Sequence, residues 1–367
     1  MYVDSSTIRG VLDGLEAIPR PANSTLMVML ANHPDLSVKD LAQGLHERQI
    51  PAFGASFPAL VAHSAFHFQG AIGIPVVLSQ PPVLVDDETI HTGVEGCADV
   101  NQTCNGPQTL VMFYATPEFD INHLIQKTYD HWGPTVNYVG AGAGSTQFTS
   151  GQWVFNGAET TSNGAVLAML DSDSSMNLKH GWKPIAGPLV ASRCEENRIC
   201  DLNWQTAYDV YRDALPRSLN IADPQDLIHR IARTYPLAIA PTDDGEPVIR
   251  TPFGVDDNGA LLMVCGVPEN STLYVAHGEP EDLMGQAQGL AAPLRDVTNP
   301  SNHQLLITCI ARHKVLGADQ FRRELELIQS GSSQPVFGVA SLGEIASDGA
   351  RYFDVHNKAM ALVQLHA

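Results

Sequence analysis

The sequence predicts an α+β fold in two halves, each of layered mixed β-sheets flanked by helices and built from repeated β-α-β-β-β units. Three observations carry this expectation. A short apolar run followed by an amphipathic stretch recurs three times along the 367 residues. After each amphipathic stretch a proline opens a second apolar run that contains a glycine: Gly54, Gly140 or Gly338. Further strand-like runs separated by turn residues then close each unit, as antiparallel hairpins do.

In the first unit, residues 25–30 read as a buried strand. Residues 37–48 put Val38, Leu41 and Leu45 on one helical face, with Ser37 as the N-cap. Pro51 ends that helix because it has no N–H for the next helical bond, and strands follow over 51–56 and 70–78. The second unit repeats this with a strand over 109–114 and a helix over 119–132 that uses Phe119, Ile121, Leu124, Ile125 and Tyr129. Strands over 134–140 and 153–170 complete it. Residues 184–203 are polar and read as a joint, so the boundary is drawn between residues 191 and 192, giving halves 1–191 and 192–367. A helix is expected near 204–215 and turn-rich hairpins over 240–257. The third unit has a strand over 304–310, a helix over 317–329 using Phe321, Leu325 and Ile328, and strands over 335–340 and 352–365. If the units are true repeats, Gly54, Gly140 and Gly338 occupy equivalent corners.

Composition narrows the function. Hydrophobic residues make up 44% and charged residues 17%, which describes a packed globule rather than a disordered chain. A net charge of −19 argues against nucleic acid, whose phosphates demand Lys and Arg, and against anionic membrane surfaces. No apolar run reaches the ~20 residues of a membrane helix, and no secretory signal is visible at the start of the sequence. A cytoplasmic location is therefore expected. The six cysteines, including the spaced pairs Cys97/Cys104 and Cys194/Cys200, are too scattered for a disulfide framework or a zinc knuckle and read as free thiols.

The candidate chemistry concentrates near the C-terminal end. Ser341-Leu342-Gly343-Glu344 sets small residues beside a carboxylate, which suits a loop that admits a small ligand to the main chain. Glu344 is open to a ligand amine or to pairing with Arg312. His356-Asn357 on the next strand reads as lining the same cavity, with Cys309 and Arg312 of Cys309-Ile310-Ala311-Arg312-His313 beside it. The predicted ligand-binding set is thus Cys309, Arg312, Ser341, Gly343, Glu344, His356 and Asn357. A catalytic thiol at Cys309 lacks a nameable oxyanion donor, so the chain is read as non-catalytic. The glycines of residues 140–144 lack the spacing of a dinucleotide loop. His63 and His67, four apart, read as ordinary half-buried histidines before they read as a metal pair.

Several motifs together resemble the FIST family, the F-box and intracellular signal transduction proteins, over nearly the whole chain. The N-terminal half is matched by Tyr138-Val139-Gly140-Ala141-Gly142, by Ser162-Asn163-Gly164-Ala165 and by His180-Gly181-Trp182-Lys183-Pro184. The C-terminal half is matched by Arg250-Thr251-Pro252, Val267-Pro268-Glu269-Asn270, Cys309-Ile310-Ala311-Arg312 and Gly343-Glu344-Ile345 with His356-Asn357. Around Ser56-Phe57-Pro58 the sequence departs from the family pattern. The resemblance implies a sensory protein that binds a small-molecule ligand and reports to a separate signalling partner, such as a histidine kinase. It also implies two alternatives: a nitric-oxide sensor of the NosP type carrying haem b, and a protein-docking adaptor without a small ligand. For haem, His180-Gly181-Trp182 offers an axial imidazole, close backbone and a flat apolar ring, so His180 is the candidate metal ligand.

Overall fold

The computed structural model describes residues 1–97, 107–117, 119–147, 151–221, 223–241, 246–292, 294, 302–350 and 353–366. Cys104 therefore lies outside the described residues, as does Tyr352 at the start of the last expected strand.

Three modules of one plan make up most of the fold. The first contains β1 (Thr25–Ala31), α1 (Val38–Glu47), β2 (Ala52–Phe57), β3 (Ala59–Ala62) and β4 (Ala71–Val76). The second contains β5 (Gln108–Ala115), α2 (Ile121–Trp132), β6 (Val136–Ala143), β7 (Val154–Asn156) and β8 (Ala165–Leu170). The third contains β9 (His303–Cys309), α3 (Ile310–Ser330), β10 (Val336–Ser341), β11 (Glu344–Ser347) and β12 (Met360–Leu365).

Register makes the equivalence explicit. The first two strands of each module pair in parallel, with Val28 opposite Gly54, Met112 opposite Gly140 and Leu306 opposite Gly338. Such pairs need a crossover, which the helix provides. The last strand of each module pairs antiparallel with the first, setting Gly73, Leu167 and Leu362 opposite the same three residues. The remaining strand leaves its own module. β3 pairs with β10, β7 with β2, and β11 with β6. The three modules thus exchange strands in a closed cycle, each lending one to another and receiving one in return.

Residue alternation explains the layering. One face of all three sheets meets in a shared core that includes Met27, Phe53, Phe113, Val139, Ile307 and Val339. The opposite face lies beneath the module's helix. Val28 packs with Leu41 and Leu45, Met112 with Leu124, and Leu306 with Phe321 and Leu325. Because both faces are covered, these strands are continuously apolar rather than alternating.

Three expectations are corrected. The paired glycines are equivalent, but they sit mid-strand rather than at corners. A Cβ at Gly54 or Gly338 would overlap the carbonyl oxygen of Val28 or Leu306 on the neighbouring strand. The third helix begins at Ile310, directly after its strand, and Gly317 (φ 75°) breaks it internally. The polar stretch 184–203 is no joint. It forms most of a hairpin of strands Lys183–Glu195 and Arg198–Leu202, so the division at residues 191 and 192 falls inside a strand. That hairpin belongs to a fourth sheet, with strands Leu237–Ile239, Val248–Arg250, Pro252–Val255, Leu261–Met263 and Thr272–His277. The sheet and its helix Ala207–Ala214 form an insert between the second and third modules. Its own core includes Tyr211, Leu227, Leu237 and Val275.

Candidate functional site

The third module ends its two parallel strands side by side, with Cys309 opposite Ser341. The chain turns through Leu342-Gly343, and Glu344 opens β11. Glu344 and His356 exchange two backbone hydrogen bonds, of 2.9 and 2.8 Å. Gly343 is required by close approach, because a Cβ there would collide with the Tyr114 hydroxyl. The Glu344 carboxyl is fully buried. The Ser341 hydroxyl donates to it, and the Ala359 N–H donates to Oε2 at 3.2 Å. Burial pushes this carboxyl up to about 8, against smaller opposing effects of the Ser341 hydroxyl, the Ala359 N–H and Cys309. Burial, with the nearby Glu344 charge, also pushes the Cys309 thiol up to about 12. Burial and the Arg250 charge push His356 down to about 3.

The cyclic repeat shows that the fold does not require these groups. The register equates Glu344 with Leu60 and Val154, each one residue past the paired glycine of the receiving strand. It equates Ser341 with Phe57 and Ala143, and Cys309 with Ala31 and Ala115. Two modules fill the position with core side chains. The third fills it with a carboxyl, a hydroxyl and a thiol.

Above this cluster, a cavity of about 120 Å³ opens between the third module and the insert. Its lining includes Cys309, Leu342, Lys314, Asn357 and Lys358 from the module, with Thr251 and Val264 from the insert. Asn357 donates from its amide nitrogen to the His356 carbonyl at 3.3 Å, and its buried Oδ1 has no partner. The buried Thr251 hydroxyl has none either. Lys358 is buried, donates to the Arg233 carbonyl at 2.7 Å, and its ammonium lies 5.2 Å from the Trp182 ring. Desolvation pulls it down to about 8.

The structure thus brings together Cys309, Ser341, Gly343, Glu344, His356 and Asn357. Of these, Cys309 and Asn357 line the cavity, and Ser341 and Glu344 are buried below it. Arg312 is a correction. It is fully buried and pairs with Glu324, not Glu344. It also donates to the carbonyls of His180 (2.7 Å), Lys358 (3.1 Å) and Leu283 (3.0 Å). That set occupies both terminal nitrogens and Nε, so Arg312 is a structural clamp. Sequence reasoning missed Thr251, Lys358 and Tyr114. Thr251 sits within a family motif, and Lys358 directly follows His356-Asn357. Tyr114 closes an apolar strand and carries no separate signal.

His180 is the second correction. Its Nδ1 accepts the Trp182 N–H at 2.9 Å, and its Nε2 stands 3.3 Å from the Glu246 carboxylate. Burial lowers its pKa to about 4, against the opposing Glu246 charge. A haem ligand must turn an unencumbered ring nitrogen to the iron. Here Nδ1 is taken, and Nε2, which makes no hydrogen bond, is buried facing the Glu246 carboxylate rather than an open space. His180 does not line the cavity above Glu344, so it is not placed to hold a haem there. The other metal candidates fare no better. The His63 and His67 rings are 6.3 Å apart, and His67 Nε2 lies 3.0 Å from the Ala62 carbonyl. Among the described residues no group of three His, Cys, Asp or Glu side chains is arranged to hold a metal. Nor is any helix among them long and apolar enough to cross a membrane. The glycines from Gly140 to Gly142 lie inside β6, and the next element in the chain is the strand β7, not a helix.

Comparison with known families places a FIST N domain over residues 23–205 and a FIST C domain over residues 207–347. Domains of this kind are associated with sensory signal transduction and small-ligand binding. No curated protein matches the chain.

Proposed function

Because this chain belongs to the FIST family, we propose that it is a cytoplasmic sensory protein that binds a small molecule and reports to a separate signalling partner without catalysing a reaction. The ligand sits in the cavity between the third module and the insert. One observation carries the reading. Asn357 and Thr251 both line this cavity, one from the module and one from the insert, and each has a buried, unpaired polar atom. Leaving such a group unsatisfied costs about 1–3 kcal/mol, and a ligand that pairs both atoms recovers the loss. The acceptor at Asn357 asks for an N–H or O–H on the ligand, and Leu342, Ile310 and Val264 ask for an apolar body. The Cys309 thiol is held in its neutral form, which supports a pocket-lining role over a nucleophilic one.

A thermal-shift screen of small polar-apolar compounds tests this directly, because a ligand of the native state raises its stability by mass action. Hits are expected with the wild-type protein and are lost in Asn357→Leu, which fills the cavity and removes the acceptor. Hits that survive unchanged in Asn357→Leu place the ligand elsewhere and defeat the reading.

A further inference from the structure

A second cavity, of about 330 Å³, lies on the other side of Val264, between the start of α2 and the turn of the insert hairpin. Two carboxylate residues line it, Asp120 from the N-cap of α2 and Glu196 from the hairpin turn, and no Lys or Arg does. The nearby cations are already committed. Arg193 and Arg198 pair with Glu195, and Arg250 pairs with Asp354. Asp120 uses Oδ1 to cap the His123 N–H at 3.1 Å, and its own N–H is held at 3.1 Å by a third carboxylate, Asp87. Charge alone does not make a site. The independent observation is Tyr114, which lines the same cavity, is 1% exposed and has a buried hydroxyl without a partner. Phe119 contributes an apolar wall.

We propose that this second cavity is a binding site for a small organic ammonium ion. Asp120 and Glu196 hold its cationic end, Phe119 packs on its aliphatic stem, and Tyr114 pairs with a polar group at its far end. The two carboxylates at the cavity mouth favour a cation that can donate several N–H bonds, and the tyrosine recovers the cost of its unsatisfied hydroxyl. The two cavities share Val264 as a wall, but their polar residues are different, so this site does not depend on ligand binding beside Asn357.

Calorimetric titration at fixed ionic strength tests the proposal with four probes: 4-amino-1-butanol, n-butylammonium, 1-butanol and butyrate. The two ammonium probes should bind, and 1-butanol and butyrate should not. Glu196→Gln, an exposed change, and Asp120→Asn, which keeps a capping side chain, should each weaken ammonium binding about tenfold or more. Tyr114→Phe should remove the preference for 4-amino-1-butanol over n-butylammonium, a readout that a purely structural tyrosine would not alter. Thr251→Val, whose hydroxyl makes no contact with the second cavity's side chains, should change none of these values, which separates failure here from failure at the first cavity. Equal binding of 1-butanol and n-butylammonium, or unchanged affinity in both acid variants, overturns the proposal.

Discussion

At Glu344 the third module carries a carboxyl where its two counterparts carry Leu60 and Val154, and that single difference has a measurable pH signature. The folded carboxyl titrates near 8 and the unfolded one near 4.5. Between those values the folded state holds the extra proton. Its stabilising contribution is therefore complete below about 4.5, declines as pH rises through the window, and is gone above about 8. Urea unfolding of wild type and Glu344→Gln at pH 5 and pH 8 should show the difference between them moving by a few kcal/mol, with the wild type relatively worse at pH 8. A difference independent of pH would mean that Glu344 is ionised in the fold. Thr251→Val offers a complementary check. If its hydroxyl is kept for a ligand, the ligand-free variant should unfold no more easily than wild type, and a loss beyond about 1 kcal/mol would reveal a structural partner. Arg312→Leu, by contrast, strands a buried Glu324 and should cost about 3–5 kcal/mol, most of it recovered in the Arg312→Leu/Glu324→Leu pair. Ser341, Glu344, His356 and Asn357 were legible because turn glycines and polar residues interrupt apolar strands there. The Arg312 partner was not legible, since Glu324 lies twelve residues away across the break at Gly317. The surroundings of His180 were equally invisible, because Glu246, which comes just before the strand Val248–Arg250, is far from it in sequence.

At the scale of the elements, the repeated strand-helix-strand was readable from periodicity and from the proline after each helix. The receiving module of each exchanged strand was not, because a strand of three or four residues carries no address for its partner. The glycine opposite the first strand is the repeat's most exacting position. At Gly54 and Gly338 an added Cβ meets backbone directly, whereas at Gly140 the nearest backbone oxygen, of Met112, is 2.9 Å away. Alanine at Gly54 or Gly338 should therefore cost on the order of 3 kcal/mol or prevent folding, and alanine at Gly140 clearly less. Denaturant midpoints of the three variants rank this, and equal losses would contradict the close approach that the register describes.

For the whole molecule, the consequence of cyclic exchange is that the modules cannot be separated without breaking sheets, so two-half bookkeeping misses the organisation. The insert was hidden because its first strand is largely exposed and runs into the polar turn from Arg193 to Arg198, a pattern that reads as a joint. It is held against the third module by Arg250, which reaches the Val355 carbonyl (2.6 Å) and Asp354 (2.6 Å), and by Lys358 bonded to Arg233. The first cavity lies on that seam, so occupancy would couple directly to how firmly the insert is held, giving a sensor a means to report. The central claim is that a small molecule binds there, and ligand-dependent thermal unfolding of wild type beside Asn357→Leu tests it most directly. The account predicts compounds that raise the wild-type midpoint in a concentration-dependent way and leave the variant unmoved. Compounds that stabilise both proteins equally would contradict it.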